Sequence, residues 1–184
     1  MPFLYEIFAS SSLTPVPSEV TSAVCKQANA ELYAQYLYNA MGFCLQTQGL
    51  PGMALWMFKQ AHEEEEHAFK LVEFLTLKGQ RVKLTAVNEP EAQWWDKPID
   101  AFHAALEHEK KVTAMIHELE AKIMPFHSSH PELGIKELVD WFLHEQEEEE
   151  ESVGNLIEKL ETLQKEKRLM QDIDFKIGQM RKDE

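Results

Sequence analysis

The stretch Gln80-Arg81-Val82-Lys83-Leu84-Thr85-Ala86-Val87-Asn88-Glu89-Pro90-Glu91-Ala92-Gln93-Trp94-Trp95-Asp96-Lys97 shows no helical repeat, and its length decides the fold. Long segments with apolar residues at helical spacing lie on both sides of it. Upstream, Pro15 and Pro17 precede Ser18, an N-cap candidate for a first helix over about residues 18–46. The turn Gln48-Gly49-Leu50-Pro51 leads into a second helix over about residues 52–78, which stops at Gly79. Downstream, Pro98 suits the first turn of a third helix that ends at Pro125. After His127-Ser128-Ser129-His130, Pro131 opens a fourth helix to about residue 163, and a shorter fifth covers about residues 168–180.

Short links join the first helix to the second and the third to the fourth, so each pair is an antiparallel hairpin. A helix of about 27 residues is ~40 Å long at 1.5 Å per residue. The middle connection, fully extended, reaches ~60 Å. It can run the whole length of a bundle, which an up-down-up-down arrangement would not need. The sequence therefore predicts an all-α fold: a four-helix bundle with one long crossover and a short C-terminal fifth helix.

Composition bounds the function. The 184 residues are enough for one domain with a substantial core, which we place at residues 18–184, after an N-terminal extension at residues 1–17. The net charge of −14 argues against nucleic acid and anionic membranes as partners and suits a protein that attracts cations. Cys25 and Cys44 form no CxxC pair, which excludes a rubredoxin-type or zinc-ribbon site built from this chain. They read as small buried residues in a reduced compartment. No stretch approaches the ~20 apolar residues of a membrane span. The opening Met1-Pro2-Phe3-Leu4-Tyr5-Glu6-Ile7-Phe8-Ala9-Ser10 is apolar but has no Lys or Arg before it, so it fails as a secretory signal. It also lacks the arginines of a transit peptide. It reads as an extension packed on a surface, with the cytoplasm as default location.

Each helix carries an apolar stripe, and each stripe is broken by an acid. The second helix runs Met57, Ala61, Glu64, Ala68, Leu71, Leu75. The fourth runs Leu138, Phe142, Gln146, Glu149, Val153, Leu156, Leu160. In the third, Glu109 stands between Leu106 and Val112, and in the first, Glu31 stands between Ala28 and Ala34. A lone carboxylate in a low-dielectric core costs several kcal/mol or takes up a proton. Several together repel one another, and a multivalent cation removes the problem by supplying positive charge.

The residue types narrow the metal. Glu64-Glu65-Glu66-His67 is a Glu-x-x-His motif with its ends on one helical face. Oxygen-rich ligands with one imidazole suit iron or manganese, and bridging carboxylates suit a pair of ions. Gln146 and Glu149 repeat the i, i+3 spacing on the fourth helix. Taken singly, a run such as residues 63–66 or 147–151 is an ordinary solvated face, and Glu65, Glu66, Glu150 and Glu151 are expected to face solvent. Four interrupted stripes together outweigh that reading. Tyr38, two turns from Glu31, fits either a core tyrosine or a hydrogen-bond or electron donor beside a carboxylate. Trp141 fits a core residue, and His127 and His130 fit the surface.

The chain resembles the non-haem bacterial ferritins over nearly its whole length from Ser18. The resemblance is carried by Asn29-Ala30-Glu31-Leu32-Tyr33 with Tyr38, by Gln60-Ala61-His62-Glu63-Glu64-Glu65-Glu66-His67, by His108-Glu109 with Val112-Thr113, and by Trp141-Phe142-Leu143-His144-Glu145-Gln146-Glu147-Glu148-Glu149. It implies a ferritin-like bundle with a ferroxidase centre: Glu31, Glu64 and His67 at one iron, and Glu64 bridging to a second held by Glu109 and Glu149, with Gln146 nearby. Tyr38 and Trp141 would flank that centre, and a third iron site would use Glu63, Glu145 and Glu148. It further implies Fe(II) oxidation by O2 or H2O2, and ferric mineral stored in a shell of 24 subunits. Bacterioferritins carry a haem-ligating Met after the second-helix glutamate and a second Glu-x-x-His. Here those positions hold Glu65 and Glu149, so no haem is expected. A rubrerythrin-type peroxidase and a shell without fast oxidation are the rival readings.

Overall fold

The computed structural model describes residues 15–180. Five α-helices form in chain order: α1 (Ser18–Thr47), α2 (Pro51–Thr76), α3 (Pro98–Ile123), α4 (Ile135–Lys165) and α5 (Met170–Met180). No strand occurs among the described residues. The fold is all-α, a four-helix bundle with one long crossover and a short fifth helix, as the sequence predicts. The α1–α2 and α3–α4 turns are short, so both pairs are antiparallel hairpins.

The crossover leaves the bundle end that holds Leu75 and returns at the opposite end, where Trp95 packs with Ala101 and Phe102. It therefore travels the full bundle length, as its reach allows. Side chains of α1 strap it down along the way. Cys25 Sγ accepts the Lys83 N–H at 3.5 Å, and Asn29 bonds Ala86 O and Thr85 N at 3.3 and 3.1 Å. At the far end Cys44 Sγ accepts the Trp95 N–H at 3.4 Å, and Gln48 donates to Trp95 O at 2.5 Å. Both cysteines are free and buried.

The start of the fourth helix differs from expectation. Pro131–Leu133 form a 3-10 turn, and α4 begins only at Ile135, because Gly134 intervenes at φ 67°. A left-handed residue cannot continue a right-handed helix. Residues 1–14 of the expected extension lie outside the described residues; of the remainder, Val16 is buried against the α1 end of the core.

Helix α5 closes the other end. Its Asp174 carboxylate accepts the backbone N–H groups of Gly52 and Met53 at 3.0 and 2.8 Å, which caps the start of α2 from a distant part of the chain. The contact is close: a Cβ on Gly52 would stand 2.1 Å from the Asp174 carbonyl oxygen. Only glycine fits there.

Removing this cap should be measurable. Asp174→Ala is expected to destabilise the protein by about 1–2 kcal/mol, read from denaturant unfolding, and an unchanged midpoint would show that α5 does not hold the start of α2.

Candidate metal centre

The core is not continuous. One apolar cluster joins Tyr38, Met41 and Met57 to Phe102, Leu156 and Ile173; the other joins Val20, Val24 and Leu71 to Ile116, Ile123 and Phe142. Between them lies a buried polar layer. Glu31 of α1, Glu64 and His67 of α2, Glu109 of α3, and Gln146 and Glu149 of α4 all project into it, each 6 % exposed or less. Among the described residues no Lys or Arg is buried, so the chain supplies no fixed cation to this layer.

Helical spacing explains the convergence. Each residue replaces an apolar side chain in the inward stripe of its helix, so ordinary bundle packing carries it inside. Glu64, His67 and Glu149 each place a ligand atom within 4.8 Å of the others. His67 Nδ1 stands 3.4 Å from Glu64 Oε2.

Neutral donors hold the oxygens in place. Gln27 donates to Glu31 at 3.0 Å, and Gln60 donates to Glu149 at 2.6 Å and to Glu64 at 3.4 Å. Tyr38 donates its hydroxyl to Glu109 Oε1. Gln146 donates to Glu109 Oε2 at 3.3 Å and also contacts Thr113 Oγ1 at 3.3 Å. Thr113 in turn donates to Glu150 at 2.6 Å. These donors orient carboxylates without neutralising them. Glu31 Oε2 is buried and has no hydrogen-bond partner among the described residues.

The electrostatics follow from burial. Loss of water pushes the Glu31 carboxyl up to about 7, and Glu149, with Glu64 and Glu109 beside it, up to about 9. Burial first, then the Glu109 and Glu31 charges, raises Glu64 well above the carboxylate range; burial also raises Glu109. The Tyr38 phenol is pushed up by burial and then by the neighbouring glutamates, so it keeps its proton. Without a cation, then, protons stand where positive charge is needed.

The remaining candidates lie toward the surface. Glu145 Oε1 is 3.4 Å from His67 Nε2, on the far side of the imidazole from Glu64. Glu63 is half-buried, and its charge reaches Glu64 and Glu149. Glu148 is exposed and pairs with His144 at 3.4 Å, so the chain does not gather it with the others. Trp141 is half-buried rather than core, packed edge-on against His67 at 5.6 Å, with Lys70 Nζ 3.9 Å from its ring centre. A cleft of about 780 Å³ lined by Glu63, Trp141 and Glu145 opens beside His67.

Three features escape sequence reading. Gln27 and Gln60 lie one turn before Glu31 and Glu64, a spacing that signals a donor only once the glutamate is known to be buried. Glu150, expected in solvent, is half-buried because Thr113 reaches it across the α3–α4 interface. His108 is buried against Tyr33 at 5.7 Å and, driven down to about 4 by burial and by Lys111, is neutral.

Fold and site together define a helical-bundle protein organised around a buried acidic layer able to hold metal. Residues 22–163 match the Ferritin family, described as a ferritin-like domain, and the chain belongs to that family. It is 36 % identical over 137 residues to a ferritin of Pacifastacus leniusculus, covering 73 % of this chain and 74 % of that protein. It is 30 % identical over 145 residues to a bacterial non-heme ferritin of Campylobacter jejuni, covering 79 % and 84 %. Among solved structures it is similar to an open pore ferritin from Archaeoglobus fulgidus, with a TM-score of 0.80 and 36 % identity over 89 % of this chain and 98 % of that one.

A pH dependence follows from the raised carboxyls. A group whose folded pKa exceeds its unfolded value contributes stability below the unfolded value and loses it as pH rises through the folded one. From 4.5 in the unfolded chain to about 7 for Glu31 and about 9 for Glu149, the metal-free protein should lose stability across that window. Glu149→Gln should raise the metal-free melting temperature at pH 8 by roughly 3 °C, the equivalent of ~1 kcal/mol in a chain of this size. A flat pH profile for the metal-free protein would contradict the raised values.

Proposed function

We propose that the chain stores iron and oxidises Fe(II) to Fe(III) at a paired site in the polar layer. The observation that carries this reading is the convergence of four buried glutamates and one imidazole with no buried Lys or Arg beside them among the described residues. Glu31, Glu64 and His67 would take one iron ion, and Glu64 would bridge to a second taken by Glu109 and Glu149. The donor set is hard oxygen with a single nitrogen, which favours ferric over ferrous iron and so assists oxidation.

The chemistry balances simply. Two Fe(II) release one electron each, and O2 takes both electrons with two protons to become H2O2. Where H2O2 is the oxidant, two electrons and two protons yield two waters. Fe(II) is the substrate here, not a resident cofactor, and no haem is required. On binding, the glutamates release the protons that burial retains. Gln60 and Gln146 keep the carboxylate oxygens oriented, and Tyr38, bonded to Glu109, is placed to donate an electron or a proton. Trp141 would flank the centre, packed edge-on against His67 at 5.6 Å. Glu63 and Glu145, which line the cleft, would hold a third iron position together with Glu148 once Glu148 leaves His144, with Glu145 the nearest to His67.

The rest of the reading rests on the family. The chain would form the body of the domain from residue 18 to 184, with residues 1–17 as an extension. Twenty-four copies of the 21.3 kDa chain would enclose the mineral, in the cytoplasm. No helix among the described residues is long and apolar enough to cross a membrane, and the net charge of −14 disfavours nucleic acid as a partner.

Stopped-flow mixing of the apoprotein with Fe(II) and O2 tests the proposal. A fast phase consuming about two Fe(II) per chain, cut by roughly 100-fold in Glu64→Ala and His67→Ala, is the expected result. Iron uptake without a fast phase would leave storage alone, and rapid H2O2 turnover without retained iron would favour a peroxidase. Tyr38→Phe should slow oxidation about tenfold while leaving Fe(II) binding unchanged; an unaltered rate would dismiss its electron-transfer role. Sedimentation of the full chain as a monomer or dimer would exclude the shell.

A further inference from the structure

The cleft beside His67 is lined by Glu63, Glu66, Glu73 and Glu145 and, among the described residues, by one Lys, Lys70 of α2. A lysine in such company would ordinarily take a carboxylate as its partner. Lys70 forms no ion pair among the described residues; Glu66 stands at His62 and Glu145 at His67 instead. Its ammonium lies over the face of Trp141, 3.9 Å from the ring centre.

Helix geometry brings the three groups together. Lys70 follows His67 by three residues, so both rise from one face of α2. Trp141 comes across from α4 and meets both: its ring lies 5.6 Å from the His67 ring, and Phe142 packs on the same indole at 4.8 Å. Trp141 is thus half-buried and held by neighbouring rings, while Lys70 is exposed on the cleft side.

The contact has a chemical consequence. A cation is drawn to an aromatic face because the ring quadrupole places negative charge there. Indole is also among the side chains that most readily give up a single electron. Once it has done so the ring carries positive charge, and attraction to the ammonium at 3.9 Å turns into repulsion. Lys70 therefore stabilises the reduced indole and opposes its oxidation. Tyr38 has the opposite setting, since its hydroxyl bonds Glu109 and no Lys or Arg is buried among the described residues. An electron taken from Tyr38 can leave the phenol proton on Glu109, whereas one taken from Trp141 sets a cation against a cation.

We propose that Lys70 guards Trp141 against one-electron oxidation, so that O2 or H2O2 at the metal centre draws electrons from Fe(II) and Tyr38 and not from the indole beside His67. Lys70 acts through Trp141 and touches no substrate. The source of the electrons rests on the ferroxidase reading. The guarding of the indole does not, because it needs only the Lys70–Trp141 contact.

Oxidation of the metal-free protein by radiolytic azide radicals tests the guard. The radical is neutral, so surface charge does not bias its approach. It takes one electron from an indole, giving azide ion and an indole radical cation that loses its N–H proton to water. Tandem mass spectrometry of peptides then reads the oxidised fraction at each tryptophan, with exposed Trp94 as the internal standard. Lys70→Met keeps the apolar stem and removes the charge; oxidation at Trp141 relative to Trp94 should rise about two- to fivefold, the size of an exposed cation–π contact. Lys70→Arg keeps a cation on the ring and should retain the wild-type ratio. An unchanged ratio in Lys70→Met, or an equal rise in Lys70→Arg, would overturn the proposal. So would a rise shared by the buried Trp56 and Trp95, which reports loosened packing in place of a lost charge. A chain with no fast Fe(II) phase that still shows the Lys70 effect would keep the guard and lose the ferroxidase reading.

Discussion

A carboxylate that leaves water must find positive charge or take up a proton, and the interior of this bundle is arranged around that requirement. Glu31, Glu64, Glu109 and Glu149 come from four different helices into one layer that water barely reaches. The chain answers them with amides, a phenol and one imidazole, none of which is a permanent cation. Amide and hydroxyl donors fix where the oxygens point but leave their combined charge uncompensated. A multivalent cation is then the natural complement, and protons substitute for it when it is missing.

Such a layer would weaken a small bundle, and the architecture compensates on both sides. Two apolar clusters enclose it, one closed by α5 and the other by the α3–α4 turn. At the α5 end, Asp174 satisfies the first amides of α2, and Gly52 lets the two backbones approach. Along the side, the crossover is tied to α1 through both cysteines, so these thiols serve packing and hydrogen bonding rather than a disulfide. Rigid flanks of this kind keep carboxylates of like charge from drifting apart when no ion holds them.

Membership of the ferritin family and the geometry of the layer support each other without being the same argument. The family match spans residues 22–163, most of the described bundle. The layer depends on particular side chains, and those are present and buried together. Around it the acidic runs divide by environment: Glu145 approaches His67, Glu150 is taken up by Thr113, and Glu148 stays in solvent with His144. Neighbours in one glutamate run thus meet three different fates within six residues.

Period and loop length were enough to determine the helices, the crossover and the inward direction of four acids, because a helix face is set by spacing alone. The same spacing could not reveal that Gln27 and Gln60 are donors, that Thr113 draws Glu150 inward, or that Gly134 delays the fourth helix. Those depend on which atoms of other helices come within about 3 Å, a distance that no pattern along one helix encodes. The unequal burial of Trp141 and Phe142 has the same origin, since both neighbour His67 but only one faces the cleft. Sequence settled that one acid from each of the four helices turns inward; tertiary packing settled which groups meet them and how deeply Trp141 and Glu150 are buried, because hydrogen bonding and charge coupling act across space between segments far apart in the chain.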